Sequence, residues 1–122
     1  MNETINYKPM NLIYVAGKYT GNTKEQVAEH IRKAGKVSLA LALKGWNVFT
    51  PHKNNAFYEQ YEYFFPEMNW NFWMNRCYDM ITRCNCIIFL DNWKDSAGAK
   101  LEHKFAKTLD MKIYYEKDGL PD

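Results

Sequence analysis

The stretch Cys86-Ile-Ile-Phe-Leu-Asp-Asn-Trp-Lys-Asp-Ser-Ala-Gly-Ala-Lys-Leu-Glu-His103 decides the fold. Its first five residues form an unbroken apolar run, the pattern of a strand covered on both faces. A polar turn follows, and Leu101, Phe105 and Leu109 then recur every four residues. That spacing predicts a helix over about Ala97 to Leu109 with those three side chains toward a sheet. A strand that opens into a loop and re-enters as a helix is the unit of an open α/β sheet, whose ligands sit at the carboxyl ends of the strands.

Upstream, Asn11-Leu-Ile-Tyr-Val-Ala16 reads as a first strand stopped by Gly17. Thr23 with Gln26 fits a capping box. The helix it opens carries Val27, Ile31, Ala34, Val37 and Leu41 on one face and ends at Gly45. Trp46-Asn-Val-Phe49 is a second strand, and residues 50–69 read as loop, with or without a short helical turn. A second helix runs from about Trp70 to Arg83, with Trp73, Met74, Cys77, Ile81 and Cys84 as its apolar stripe. Met111-Lys-Ile-Tyr-Tyr115 is the last strand. Residues 1–10 and 117–122 read as tails of a single domain over 1–122. The order β-α-β-α-β-α-β predicts an α/β three-layer sandwich with a parallel sheet of four to five strands, wound as in flavodoxin-like or Rossmann-like folds.

The 122 residues suit one domain, and 47% hydrophobic with 25% charged residues is ordinary for a soluble chain. A net charge of +2 gives no ground for nucleic-acid binding. No apolar run approaches the roughly 20 residues of a membrane span, and no signal-peptide pattern opens the chain, so a cytoplasmic location is expected. Cys77, Cys84 and Cys86 are an odd, clustered set that argues against a disulfide framework. Cys84-Asn-Cys86 also lacks the spacer of a zinc or redox pair. These cysteines read as small buried hydrophobes, with no metal site.

The crevice draws together residues 17–22, 50–54 and 91–98. Ala16-Gly-Lys-Tyr-Thr-Gly21 matches neither the P-loop nor the dinucleotide fingerprint, and a phosphate cradle and a plain turn both fit it. Ser96-Ala-Gly98 opens a helix, where a serine caps the helix or helps to bind an anion. Glu102 flanks the expected core stripe on the side of Ala99 and Ala106, either as surface or against a ligand. Asp79 sits mid-helix, where aspartate is unfavourable; an ion pair with Arg83 is the plain explanation. His52 lies at the crevice, as an idle loop residue or a contact to a base. Nine of the seventeen residues from Phe57 to Trp73 are aromatic, suited to stacking on a base or to a subunit interface.

Ile13-Tyr-Val-Ala-Gly17, Asp79 in the second helix and Ser96-x-Gly98-x-x-x-Glu102 together resemble the nucleoside 2-deoxyribosyltransferase superfamily, which includes the 2′-deoxynucleoside 5′-phosphate N-hydrolases. The likeness spans about Leu12 to Tyr115. It implies that Glu102 is a nucleophile attacking C1′ of the sugar, that Asp79 assists the leaving base and that Tyr14 orients the nucleophile. It further implies Gly17, Ser96 and Gly98 as substrate contacts; Lys18 stands where the family often has proline or serine and would also suit a phosphate, and His52 is the crevice candidate for a contact to the base. The family's free-nucleoside transferases typically carry aspartate where this chain has Ser96, and its nucleotide hydrolases carry serine. A deoxynucleoside 5′-monophosphate is therefore the expected substrate, cleaved or given a new base without metal or cofactor. A homodimer is also implied, since relatives build sites across subunits. The alternatives are a glycohydrolase acting on a nicotinamide dinucleotide and a non-catalytic nucleotide-binding module.

Overall fold

The computed structural model describes residues 3–54, 56 and 58–122. Met1 and Asn2 of the expected tail, and Phe57 of the aromatic stretch, lie outside the described residues. Four strands, β1 (Leu12–Ala16), β2 (Asn47–Phe49), β3 (Cys86–Phe89) and β4 (Lys112–Tyr115), form one sheet in the order β2-β1-β3-β4. Every pairing is parallel. Helices α1 (Lys24–Leu43), α2 (Pro51–Asn54), α3 (Trp70–Arg83) and α4 (Ala97–Thr108) make the connections.

The sheet is covered on both faces because β1 and β3 are apolar at every position. Ile13 and Val15 join Ala34, Val37 and Leu41 of α1 and Ile88 of β3 in one core. Tyr14 and Ala16 point the other way and pack with Ile87, Phe89, Ile81 of α3 and Ala106 of α4. This is the three-layer α/β sandwich expected from the strand-helix alternation, with four strands. From β1 the chain winds outward to β2, and from β3 it winds outward to β4 on the opposite side. The reversal between β1 and β3 opens a crevice at their carboxyl ends.

Local chemistry fixes the boundaries. Thr23 Oγ1 accepts from the Gln26 N–H at 3.1 Å, while Gln26 Oε1 reaches back to the N–H of Asn22 at 2.6 Å. At the other end of α1, Gly45 has φ +102°. It lets Trp46 N–H bond to Leu41 O at 3.2 Å and Gly45 N–H to Ala42 O at 3.0 Å, which is a Schellman ending. Asn85 clamps β1 to β3: its side chain accepts from Leu12 N–H at 2.6 Å and its own N–H donates to Leu12 O at 2.8 Å.

Two expectations are corrected. In α4 the face toward the sheet is Ala99, Glu102 and Ala106, whereas Leu101 and Leu109 are 41% and 43% exposed. The two alanines let the helix approach the sheet closely, and that approach buries the glutamate between them. Nor is 117–122 a loose tail. Leu120 packs on the α1 core, and Trp46 Nε1–H donates to Pro121 O at 3.1 Å. Among the described residues, no helix is long and apolar enough to cross a membrane.

Candidate active site

At the switch point lies a cavity of about 530 Å³. β1 supplies Tyr14, the loop after it supplies Gly17, Tyr19, Thr20 and Gly21, α2 supplies His52, and α3 supplies Trp70, Trp73, Met74 and Cys77. The start of α4 adds Ser96 to Ala99 and, one turn further, Glu102. Tyr58, Glu59 and Glu62 close one side of the mouth.

Glu102 is the buried charge of this site. It is 6% exposed, and burial pushes its carboxyl up to about 7. The fully buried Tyr14 hydroxyl donates to its Oε2, which acts against that rise by favouring the ionised form. The same burial, with the Glu102 charge beside it, holds the Tyr14 hydroxyl well above its usual value. A buried carboxylate carries a large desolvation cost, and a pair on two different elements holds it in one place. Tyr14 stacks at 5.7 Å on Phe49, so the ring that aims the hydroxyl is itself fixed.

Cys77 is the residue that sequence reasoning placed in the core and the structure places in the cavity. Its thiol lies against Tyr14 and feels Glu102; burial is the main reason it is pushed up to about 11. It stays protonated at neutral pH, a neutral neighbour to the carboxylate. Asp79, two residues on, is turned by about 200°. Its side chain is 63% exposed and pairs with Arg83 at 3.3 Å, and it lies outside the cavity. The structure therefore does not bring Asp79 to Glu102. The only sequence signal for Cys77 was its place on the stripe with Trp73 and Met74.

The loop after β1 is held by its neighbours. A Cβ on Gly17 would stand 2.6 Å from Leu90 Cδ1 and 3.0 Å from Asn92 Oδ1, so only glycine allows this close approach. Lys18 N–H donates to Asn92 Oδ1 at 2.9 Å, and Lys18 O accepts from His52 Nε2 at 2.9 Å. Lys18 thus serves through its backbone, and it does not line the cavity. His52 is 3% exposed, burial lowers its basicity, and among the described residues its buried Nδ1 has no hydrogen-bond partner.

Ser96 caps α4, its Oγ accepting from Ala99 N–H at 3.0 Å. The capping and anion-site readings are compatible, because the hydroxyl hydrogen and the first helical N–H groups stay available. A Cβ on Gly98 would sit 3.4 Å from Met74 Sδ and 3.5 Å from Trp70 Cη2. The absent side chain thus leaves room between helix and aromatic wall. Among the described residues, no three histidine, cysteine, aspartate or glutamate side chains gather into a metal-binding group.

Fold and site together define an open parallel α/β domain with a tyrosine-held carboxylate in its switch-point crevice. Residues 11–115 match the family described as Domain of unknown function (DUF4406), and the chain belongs to that family. No curated protein matches the chain.

Proposed function

We propose that this chain cleaves the N-glycosidic bond of a 2′-deoxynucleoside 5′-monophosphate, as the nucleoside 2-deoxyribosyltransferase superfamily it resembles would do. The supporting observation is Glu102, a carboxylate buried in the crevice and hydrogen-bonded by Tyr14. In this mechanism one Glu102 oxygen attacks C1′, the C1′–N bond breaks, and the base leaves with the bonding electrons. The glycosyl ester is then resolved by water or by a second base, which is retaining double displacement. Tyr14 holds the second oxygen and fixes the line of attack. An oxocarbenium-like transition state is favoured by the negative oxygen beside it, more so where water is excluded.

The sugar phosphate takes the start of α4. Ser96 lies six residues before Glu102, about 9 Å along the helix axis. A nucleotide with C1′ at Glu102 can bring its 5′-phosphate to the Ser96 hydroxyl and the free N–H groups. Aspartate at position 96 would repel that phosphate. The base then lies toward Tyr58 and Trp73, whose rings are 5.8 Å apart.

A homodimer and a cytoplasmic location go with this reading. Tyr63, Phe64, Phe65 and Trp70, all exposed beside the mouth, offer the apolar surface for a second copy. Light scattering at micromolar concentration gives the stoichiometry. The activity test is incubation with each common and modified deoxynucleoside monophosphate, followed by chromatography for free base. Folded protein that releases no base from any of them refutes the proposal.

A further inference from the structure

We infer that the base this site expels carries a positive charge in the bound substrate, as in an N-glycosylpyridinium or an N7-alkylpurine nucleotide. This rests on the reading of Glu102 as the glycosidic nucleophile and concerns what leaves, which that reading does not fix.

Among the described residues, the charged side chains that line the cavity are all carboxylates. Glu102 lies inside, and Glu59 and Glu62 stand at the mouth. Among the described residues lining the cavity there is no lysine or arginine. Arg76 lies over the Phe72 ring at 3.5 Å, and Lys53 runs beside Gly35 of α1. The walls of the mouth are Tyr19, Tyr58, Trp70 and Trp73, and the Tyr19 hydroxyl bonds to Glu59 at 2.9 Å. Aromatic faces rimmed by carboxylates attract a cationic ring, by cation–π attraction and by charge.

The leaving-group chemistry agrees. A neutral purine or pyrimidine departs as an anion unless a proton reaches it in the transition state. Asp79, the residue expected to give that proton, is outside the cavity, and Cys77 stands in its place with a thiol too weakly acidic to serve. A pyridinium base needs no proton. When its C1′–N bond breaks, the ring nitrogen takes the electron pair and the base leaves neutral. Glu102 meanwhile loses its negative charge by forming the ester. Water then adds to C1′, the carboxylate is released, and one proton passes to solvent.

The test pairs one ring in two charge states. 1-Methylnicotinamide and nicotinamide are titrated into the intact protein, with Trp70 and Trp73 fluorescence as readout. The methylated cation is expected to bind at least about tenfold tighter. That lead should shrink in the Glu59→Gln/Glu62→Gln double variant and at high salt. Equal or tighter binding of nicotinamide overturns the inference without touching the role of Glu102. In parallel, the 2′-deoxynucleotides of nicotinamide and adenine are compared by kcat/KM divided by the uncatalysed rate. A larger value for nicotinamide supports the inference, and an equal or larger value for adenine sinks it alone. Cleavage of neither overturns this inference, and the glycosidase reading falls with it only if no other monophosphate releases a base.

Discussion

The Tyr14 hydroxyl donates to Glu102 across 88 residues of sequence, joining the middle of β1 to the second turn of α4. Among the described residues it makes the one hydrogen bond that favours the ionised carboxylate. Desolvation pulls in the opposite direction and wins, so Glu102 titrates near neutrality rather than near its usual 4.5. The pair is therefore a cost to the fold as well as the centre of the proposed mechanism.

That cost is measurable. A folded chain that keeps its Glu102 proton up to about pH 7, against 4.5 unfolded, is favoured below 4.5 and loses that advantage as pH rises through 7. The loss amounts to on the order of 3 kcal/mol. Glu102→Gln should match the native chain in stability near pH 4 and exceed it at pH 8, as read from urea midpoints. The same variant should lose turnover by about 10⁴-fold or more. Equal urea midpoints for variant and native chain at pH 8 would contradict the burial of a charged carboxylate.

Tyr14→Phe keeps the ring and removes the donor. Without it the ionised form of Glu102 is less favoured, so its titration moves upward by roughly one to two pH units. The acid limb of the pH–rate profile should shift by the same amount, while turnover at pH 9 recovers part of its loss. An unmoved limb with lowered turnover at every pH would mean that Tyr14 serves only packing.

How much of this could be read from the chain depends on which signals are periodic. The five buried positions of α1 and the all-apolar β3 were legible because the pattern repeats over many residues. The buried face of α4 was not. Leu101 and Leu109 outweigh alanine in any count of hydrophobicity, yet close helix-sheet packing selects the small residues. Glu102, Tyr14 and Ser96 were singled out together only by the family resemblance, since spacing alone left Glu102 as surface or ligand contact and Ser96 as cap or anion site. The Asp79 and Cys77 positions differ by two residues on one helix, and only the tertiary packing of α3 shows which faces the crevice.

Asp79→Asn tests that assignment. An exposed i,i+4 pair with Arg83 contributes about 0.3–0.5 kcal/mol, and stability should fall by no more than that. Turnover should stay within about twofold of the native rate, because nothing in the cavity touches the side chain. Cys77→Asp should do the reverse. A second carboxyl beside Glu102 leaves one of the two protonated at neutral pH, as like charges in one buried site resist joint ionisation. It should raise kcat for neutral purine substrates relative to pyridinium ones. A large loss in Asp79→Asn with Cys77→Asp inert would return the acid role to Asp79.

Ser96→Asp separates phosphate recognition from bond cleavage. Aspartate also caps helices well, so α4 should keep its start and the melting temperature should change little. The new charge stands where the 5′-phosphate is proposed to lie, at the positive end of the helix. Activity on monophosphates should fall at least about 100-fold, mostly through KM, by repulsion within a partly enclosed site. Activity on the corresponding free nucleosides should hold or rise, since the carboxylate can accept from a 5′-hydroxyl. Equal losses on nucleotide and nucleoside would place the phosphate elsewhere, whereas a selective loss fixes it at the first turn of α4.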